Sequence, residues 1–89
     1  MRQAKIFIVT AKGKKNGLSI DKIIREVNQI VCATEYDING QSTLYASSYF
    51  KGSCLLGVSI SADNGSELDS FVKWRVDNGF LKEVVNEDE

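Results

Sequence analysis

The chain has 89 residues, of which 43% are hydrophobic and 26% charged, and its formal net charge is −1. This size supports one hydrophobic core, and the composition is that of a globular domain rather than of a disordered chain. Two cysteines and no histidine cannot supply the ligands of a structural zinc site, and the commonest general base is missing. No apolar run approaches the ~20 residues of a membrane span, so we expect a cytoplasmic protein. From the missing ligand and motif patterns, we expect neither a cofactor nor a metal.

The near-neutral total conceals an uneven distribution of charge. Residues 1–31 hold seven basic and two acidic residues, for a net charge of +5. Residues 32–89 hold four basic and ten acidic residues, for a net charge of −6. A folded domain of this kind can present two surfaces of opposite sign, which favours a protein partner over a pure nucleic-acid partner.

The first elements in chain order are a strand, a loop and a helix. Residues 4–11 predict a strand, because residues 6–9 are an unbroken apolar run, and residues 12–17 end it with two glycines and three lysines. Ser19 is the expected N-cap of a helix. Its apolar side chains recur at helical spacing at Ile20, Ile23, Ile24, Val27, Ile30 and Val31.

The middle of the chain predicts three strands. Residues 32–38 are the first candidate, and the pair Asn39-Gly40 is a hairpin signal. Residues 41–50 alternate and place Tyr45 and Tyr49 on one face. Residues 54–62 alternate between larger apolar residues, including Cys54, and small ones, which is typical of a half-buried strand. Both cysteines are expected to be reduced thiols in the core, with a disulfide or a redox role as the alternatives.

The last part predicts a second helix, capped by Ser66 and ended by Asn78-Gly79. Residues 80–85 either return as a short strand or extend the helix, and we favour the strand. Residues 1–86 therefore form a single α+β domain of the order β-α-β-β-β-α-(β), followed by an acidic tail at residues 87–89. The sheet is expected to be mostly antiparallel, with two helices packed on one face.

The basic loop is the first candidate site. A glycine-containing strand-to-helix connection can bind phosphate, but residues 12–17 match neither the P-loop spacing nor G-x-G-x-x-G. A solvated cationic loop is the alternative interpretation. If it binds nucleic acid, the contacts would come from Lys12, Lys14, Lys15, Lys22 and Arg25.

The uncovered sheet face is the second candidate, because tyrosine is favoured at interfaces. RNA-recognition domains stack bases on sheet aromatics, and the nearest segment here begins Lys51-Gly52. The aromatic positions of that signature hold Ser53, Leu55 and Val58, so the chain is not assigned to this family. Ordinary β-propensity is the alternative explanation for the tyrosines.

The second helix supplies the remaining candidates. Trp74 either flanks the core or, if exposed, is an interface anchor. Glu67 and Asp69 make this helix acidic near its start, which suits docking on a basic protein surface. The carboxylates form no acid–base constellation, and with no histidine we expect a protein without enzymatic activity.

These observations lead to three functional hypotheses. The favoured one is a small protein-binding regulator or inhibitor that docks through the acidic helix and through Tyr45, Tyr49 and Trp74. Small acidic phage or mobile-element proteins that block nucleic-acid enzymes offer an analogy by size and charge. The alternative is a nucleic-acid-binding domain that uses the basic loop and first helix. A homodimer formed through an edge strand is compatible with either.

Overall fold

The computed structural model describes residues 3–34 and 42–84. A four-stranded sheet carries two long helices, and a short helix follows its first strand. The elements are β1 (Gln3–Val9), α1 (Ala11–Lys15), α2 (Ile20–Thr34), β2 (Tyr45–Lys51), β3 (Cys54–Ala62), α3 (Gly65–Asp77) and β4 (Leu81–Val84). None of the helices in the described ranges is long and apolar enough to cross a membrane.

The strands lie in the order β2-β3-β1-β4, and every neighbouring pair is antiparallel. Strand β1 lies inside the sheet, with Phe7 opposite Val58 of β3 and Glu83 of β4. Apart from α1, the succession is β-α-β-β-α-β, the split β-α-β arrangement of ferredoxin-like domains. The predicted α+β class and antiparallel sheet are confirmed.

One core lies between the sheet and the two long helices. Phe7, Val58 and Ile60 from the sheet are almost fully buried. They form one cluster with the buried residues of both long helices, so α2 and α3 cover the same sheet face, as expected. The helix residues of this cluster are Ile23, Val27, Leu68 and Val72.

Helix α2 follows the predicted apolar stripe but extends further. Ser19 Oγ accepts a hydrogen bond from the Lys22 N–H at 3.1 Å and caps the helix, as predicted. The helix continues to Thr34, so the predicted strand over residues 32–38 is wrong at residues 32–34. Residues 35–38 and the predicted Asn39-Gly40 turn lie outside the described residues.

The predicted basic loop is mostly helical, which is a second difference. Helix α1 begins after Thr10, whose hydroxyl accepts a hydrogen bond from the Gly13 N–H at 3.0 Å. The same hydroxyl donates to the Gly79 carbonyl at 2.6 Å, and the Thr10 N–H donates to the Phe80 carbonyl at 3.0 Å. These bonds to the segment between α3 and β4 hold the start of the short polar helix in place.

Strand β2 begins at Tyr45 rather than at residue 41, since residues 42–44 precede the ladder. Its pairing with β3 changes register after Tyr49, which lies opposite Gly57, whereas Phe50 lies opposite Leu55. Leu56 is therefore an extra residue on β3, a β-bulge. The hairpin between β2 and β3 is otherwise regular.

The last helix and strand agree with the sequence except at one cap. Asn64, not Ser66, caps α3, because its side-chain oxygen accepts from the Ser66 N–H at 2.8 Å. The helix ends at Asp77 with Asn78 as its C-cap, and Gly79 has a φ of 78°, which favours glycine. Leu81–Val84 is a strand, as preferred, and the predicted acidic tail lies outside the described residues.

Candidate functional site: the open face of the sheet

The sheet face opposite the core is the principal candidate surface. Neither α2 nor α3 packs on it, because both contribute to the cluster on the other face. The register assigns its residues from the pairing of the strands. They are Tyr45, Ser47 and Tyr49 of β2, Gly57, Ser59 and Ser61 of β3, Ala4, Ile6 and Ile8 of β1, and Lys82 and Val84 of β4.

A row of small residues along β3, Gly57, Ser59 and Ser61, lies on this face, and we call this row with the neighbouring Ser47 the trough. Ser59 lies opposite Ser47 on one side and opposite Ile6 on the other. The tyrosines of β2 and the isoleucines of β1 stand on either side of a row of small residues. Because neighbouring strands lie about 4.8 Å apart, the two walls are separated by about 10 Å. The arrangement suits an apolar or aromatic group inserted from a partner.

Gly57 lies close to the backbone of β1. A Cβ atom added at this position would collide with the Phe7 carbonyl oxygen and lie 3.4 Å from Ile8 Cγ2. A side chain is therefore excluded here by the backbone of the neighbouring strand. The glycine also keeps the floor of the trough low beside Tyr49, its partner in the ladder.

The predicted pair of tyrosines lies on this face, as the alternation in residues 41–50 indicated. Tyr45 is 60% exposed, whereas Tyr49 is half-buried. Both lie on β2, an edge strand, while the two inner strands place no aromatic side chain on the open face. Base stacking across the middle of a sheet needs aromatics there, so the arrangement does not resemble an RNA-recognition surface.

Trp74 is exposed rather than a flank of the core. Its side chain is 62% exposed and packs edge-on against Phe80, with ring centroids 5.5 Å apart. Lys12 Nζ lies 5.7 Å from the centroid of the Phe80 ring. Trp74 belongs to α3, on the opposite side of the sheet from Tyr45 and Tyr49. The structure therefore does not bring the three predicted aromatic contacts together.

Glu67 makes contacts inside the domain. Its carboxylate accepts hydrogen bonds from Ser42 Oγ at 2.6 Å, Thr43 Oγ1 at 2.7 Å and the Thr43 N–H at 3.3 Å. The Ser42 hydrogen bond is the main cause that lowers the pKa of Glu67, assisted by those from Thr43. The carboxylate thus holds the segment before β2 against the first turn of α3, a role that the sequence did not indicate.

Asp69 also has a partner within the domain. Lys5 Nζ donates to its Oδ1 at 3.1 Å, and this hydrogen bond is the main cause that raises the pKa of Lys5. On the same helix, Lys73 pairs with Asp77 at 3.0 Å, and Arg75 pairs with Glu26 of α2. The helix is therefore a mixed surface of paired charges rather than a uniformly acidic one.

The five predicted basic contacts lie on two adjacent helices. They are Lys12, Lys14 and Lys15 of α1 and Lys22 and Arg25 of α2, all exposed. None of the five forms an ion pair with a residue in the described ranges. The structure thus gathers these cations around the connection from α1 to α2, away from the open sheet face.

The cysteines differ from the prediction of core thiols. Cys32 and Cys54 are both exposed free thiols. Cys32 lies in the last turn of α2, and Cys54 lies opposite Lys51 where the β2–β3 hairpin turns. In the described part of the chain, no three cysteine or acidic side chains are grouped as metal ligands.

Some exposed apolar residues were not singled out from the sequence. Phe50, Leu55 and Leu56 are 54%, 50% and 43% exposed at the end of the β2–β3 hairpin. Leu56 is the extra residue of the bulge, and Leu55 and Leu56 line a surface pocket together with Ile20 and Asp21 of α2. They extend the apolar surface around the edge strand.

Comparisons with known proteins give no relative for this chain: no family model, curated protein or solved structure matches it.

Proposed function

We propose that this chain is a non-enzymatic protein-binding domain, a small cytoplasmic regulator or inhibitor, that docks a larger protein on the open sheet face. The observation that carries the proposal is the trough of Ser47, Gly57 and Ser59 beside Tyr45 and Tyr49, on a face that neither long helix covers. Tyrosine combines a large apolar ring with a hydroxyl, and it is enriched among residues that dominate binding energy.

The charges of α3 give less support to docking through an acidic helix. The Glu67 carboxylate accepts three hydrogen bonds, and Asp69 pairs with Lys5. A partner that recruited either carboxylate would first have to break these contacts. The proposal therefore relies on the sheet face, with Trp74 as a separate exposed surface that serves as a control.

The experiment uses the full chain, immobilised to capture a partner that is then identified by mass spectrometry and purified. Its affinity is measured for the wild type and for the double variant Tyr45→Ala/Tyr49→Ala. We expect the dissociation constant to rise at least about tenfold, because truncating two aromatic anchors removes more than about 1.4 kcal/mol of binding energy.

Trp74→Ala is the matched control, since it also removes an exposed aromatic ring but on the other side of the sheet. We expect its affinity to remain within about twofold of the wild type. Circular dichroism of each variant establishes that it is folded. Loss of binding in Trp74→Ala, together with retention in the tyrosine variant, would contradict docking on the open face and indicate α3 instead.

One observation favours a second candidate, nucleic-acid binding. The five exposed cations around the α1–α2 connection form no ion pair with described residues, whereas several cations elsewhere are paired. Unpaired lysines on one surface are the electrostatic requirement for contacts with phosphates. The absence of aromatics from the inner strands of the open face makes this the weaker candidate.

A further inference from the structure

Strand β2 is an edge of the sheet with no partner on its outer side among the described residues. No described residue pairs with the backbone N–H and C=O groups on that side, and such groups are the ones through which a further strand can be added to a sheet. Many proteins protect such an edge with a charge, a proline, a bulge or a very short strand. If β2 lacks this protection, its outer side can pair with a strand of another molecule.

The two edges of this sheet differ in their protection. Strand β4 is short, Leu81–Val84, and carries the exposed charges of Lys82 and Glu83. Strand β2 has seven residues and no proline, and its one charge is Lys51 at the hairpin end. The bulge in this hairpin adds its extra residue to β3, so β2 itself is continuous. Within the described parts of the chain, β2 is therefore the less protected edge.

The pattern of β2 is also self-complementary. Tyr45 and Tyr49 lie on the open face, two positions either side of Ser47. In an antiparallel pair, directly opposite residues lie on the same face of the sheet. A two-fold axis at Ser47 therefore sets Tyr45 of one copy opposite Tyr49 of the other, twice.

We propose that two copies of this chain pair antiparallel through β2, about a two-fold axis at Ser47, to form one continuous eight-stranded sheet. The two tyrosine pairs stabilise this register, since aromatic cross-strand pairs are favourable. Lys51 lies opposite Thr43 of the second copy, so no like charges meet. The exposed rings of Tyr45 and Phe50 add apolar area beside the new pairing.

The dimer is independent of the protein-binding proposal, because it needs no other molecule. It does enlarge the open face, which becomes one surface with four tyrosines at its centre. Failure to dimerise leaves docking of a partner on the monomer untouched, and failure to find a partner leaves the dimer untouched.

The test introduces a charge of either sign at Ser47, on the two-fold axis. Sedimentation and light scattering then measure the mass of the protein in solution. The wild type is expected to have twice its chain mass of 9.9 kDa. Ser47→Lys and Ser47→Asp each place like charges directly opposite each other, which should weaken the dimer about fivefold or more. An equal mixture of the two variants should restore a dimer, because opposite charges then meet across the axis.

Ser59→Lys is the matched control, because it adds the same charge on the same face but on an inner strand. Edge pairing predicts that this variant still dimerises, whereas a face-to-face dimer would be disrupted by it. Even a weak dimer would be populated at a protein concentration of about 200 µM. A wild-type protein that is monomeric at this concentration would overturn the proposal. A dimer lost in Ser59→Lys, or not restored in the mixture, would overturn it equally.

Discussion

Glu67 has the clearest consequence at the scale of single residues. Its carboxylate joins the segment before β2 to α3 through partners 24 and 25 positions earlier in the chain. Thr43 Oγ1, which donates to it, also accepts from the Asp63 N–H at 3.0 Å. One ionised group therefore organises three segments, and its protonation should affect stability.

The acid stability of the domain should depend on Glu67. Because its pKa is lowered in the folded state, its contribution is fully present above the ordinary value of 4.5 and is lost as the pH falls through the lowered pKa. Glu67→Gln should therefore reduce the free energy of unfolding at neutral pH by about 1–3 kcal/mol and flatten its decline between about pH 5 and pH 3. Urea unfolding across this pH range measures both effects.

Asp69→Asn is the control for this prediction. It also neutralises a carboxylate of α3, but the side chain is 62% exposed and its pair with Lys5 is a surface ion pair. We expect the free energy of unfolding to change by about 0–1 kcal/mol. Equal acid sensitivity of wild type and Glu67→Gln would contradict the assigned role of Glu67.

Helix α1 shows at the scale of elements that a short helix can depend on distant contacts. Its sequence of alanine, lysines and glycine has no apolar stripe, yet Gly13 is buried. A Cβ atom on Gly13 would collide with the Phe80 carbonyl oxygen and lie 3.1 Å from Val9 Cγ1. The helix is therefore packed closely against the segment that leads into β4.

This packing reverses the usual effect of a substitution. Replacing glycine by alanine inside a helix normally stabilises by about 1 kcal/mol. Gly13→Ala should instead lower the free energy of unfolding by about 1–3 kcal/mol, because the methyl group has no space. Ser70→Ala on the exposed side of α3 should change it by less than about 0.5 kcal/mol. A stabilised Gly13→Ala protein in urea unfolding would show that α1 does not pack as described.

The elements that the sequence predicts well are those whose side chains meet the core. The stripe of α2 and the alternation of residues 58–62 in β3 report burial directly, and residues such as Ile23 and Ile60 are fully buried. The end of α2 was missed because Cys32 and Ala33 are exposed and carry no periodic signal. Helix α1 was missed because its stability comes from Thr10 and Phe80 rather than from local pattern.

The candidate site was predictable only where it depends on the local pattern of one strand. Alternation placed Tyr45 and Tyr49 on one face, and both long helices pack on the other, so no described helix covers the tyrosines. The trough along β3 depends on strand order, which requires pairings between residues far apart in the chain. The structural role of Glu67 likewise depends on such a contact, so its sequence position suggested only a surface charge.

The charges separate clearly at the scale of the whole molecule. Cations without ion pairs gather around α1 and the start of α2, while the open sheet face carries one charge, Lys82, among its described residues. A nucleic acid held through its phosphates and a protein held through an apolar surface would therefore bind at different places on the domain. This separation allows one assay to decide between the two functional proposals.

Gel shifts with DNA and RNA at low salt provide that assay. The protein-binding proposal predicts no shifted band at about 50 µM protein, within the usual range of non-specific binding. A shift would support the second candidate if Lys14→Ala/Lys15→Ala reduced the slope of log affinity against log salt by about 2. Lys51→Ala, at the far hairpin, should then leave the slope unchanged.

The interior position of β1 also has a consequence for how the chain acquires its structure. Strand β1 is separated from both of its neighbours by most of the sequence, because Gln3 pairs with Ala62 and Ile6 pairs with Val84. Contacts between residues this distant in sequence form more slowly than local ones. We therefore expect the local β2–β3 hairpin to form before β1 takes its place between β3 and β4.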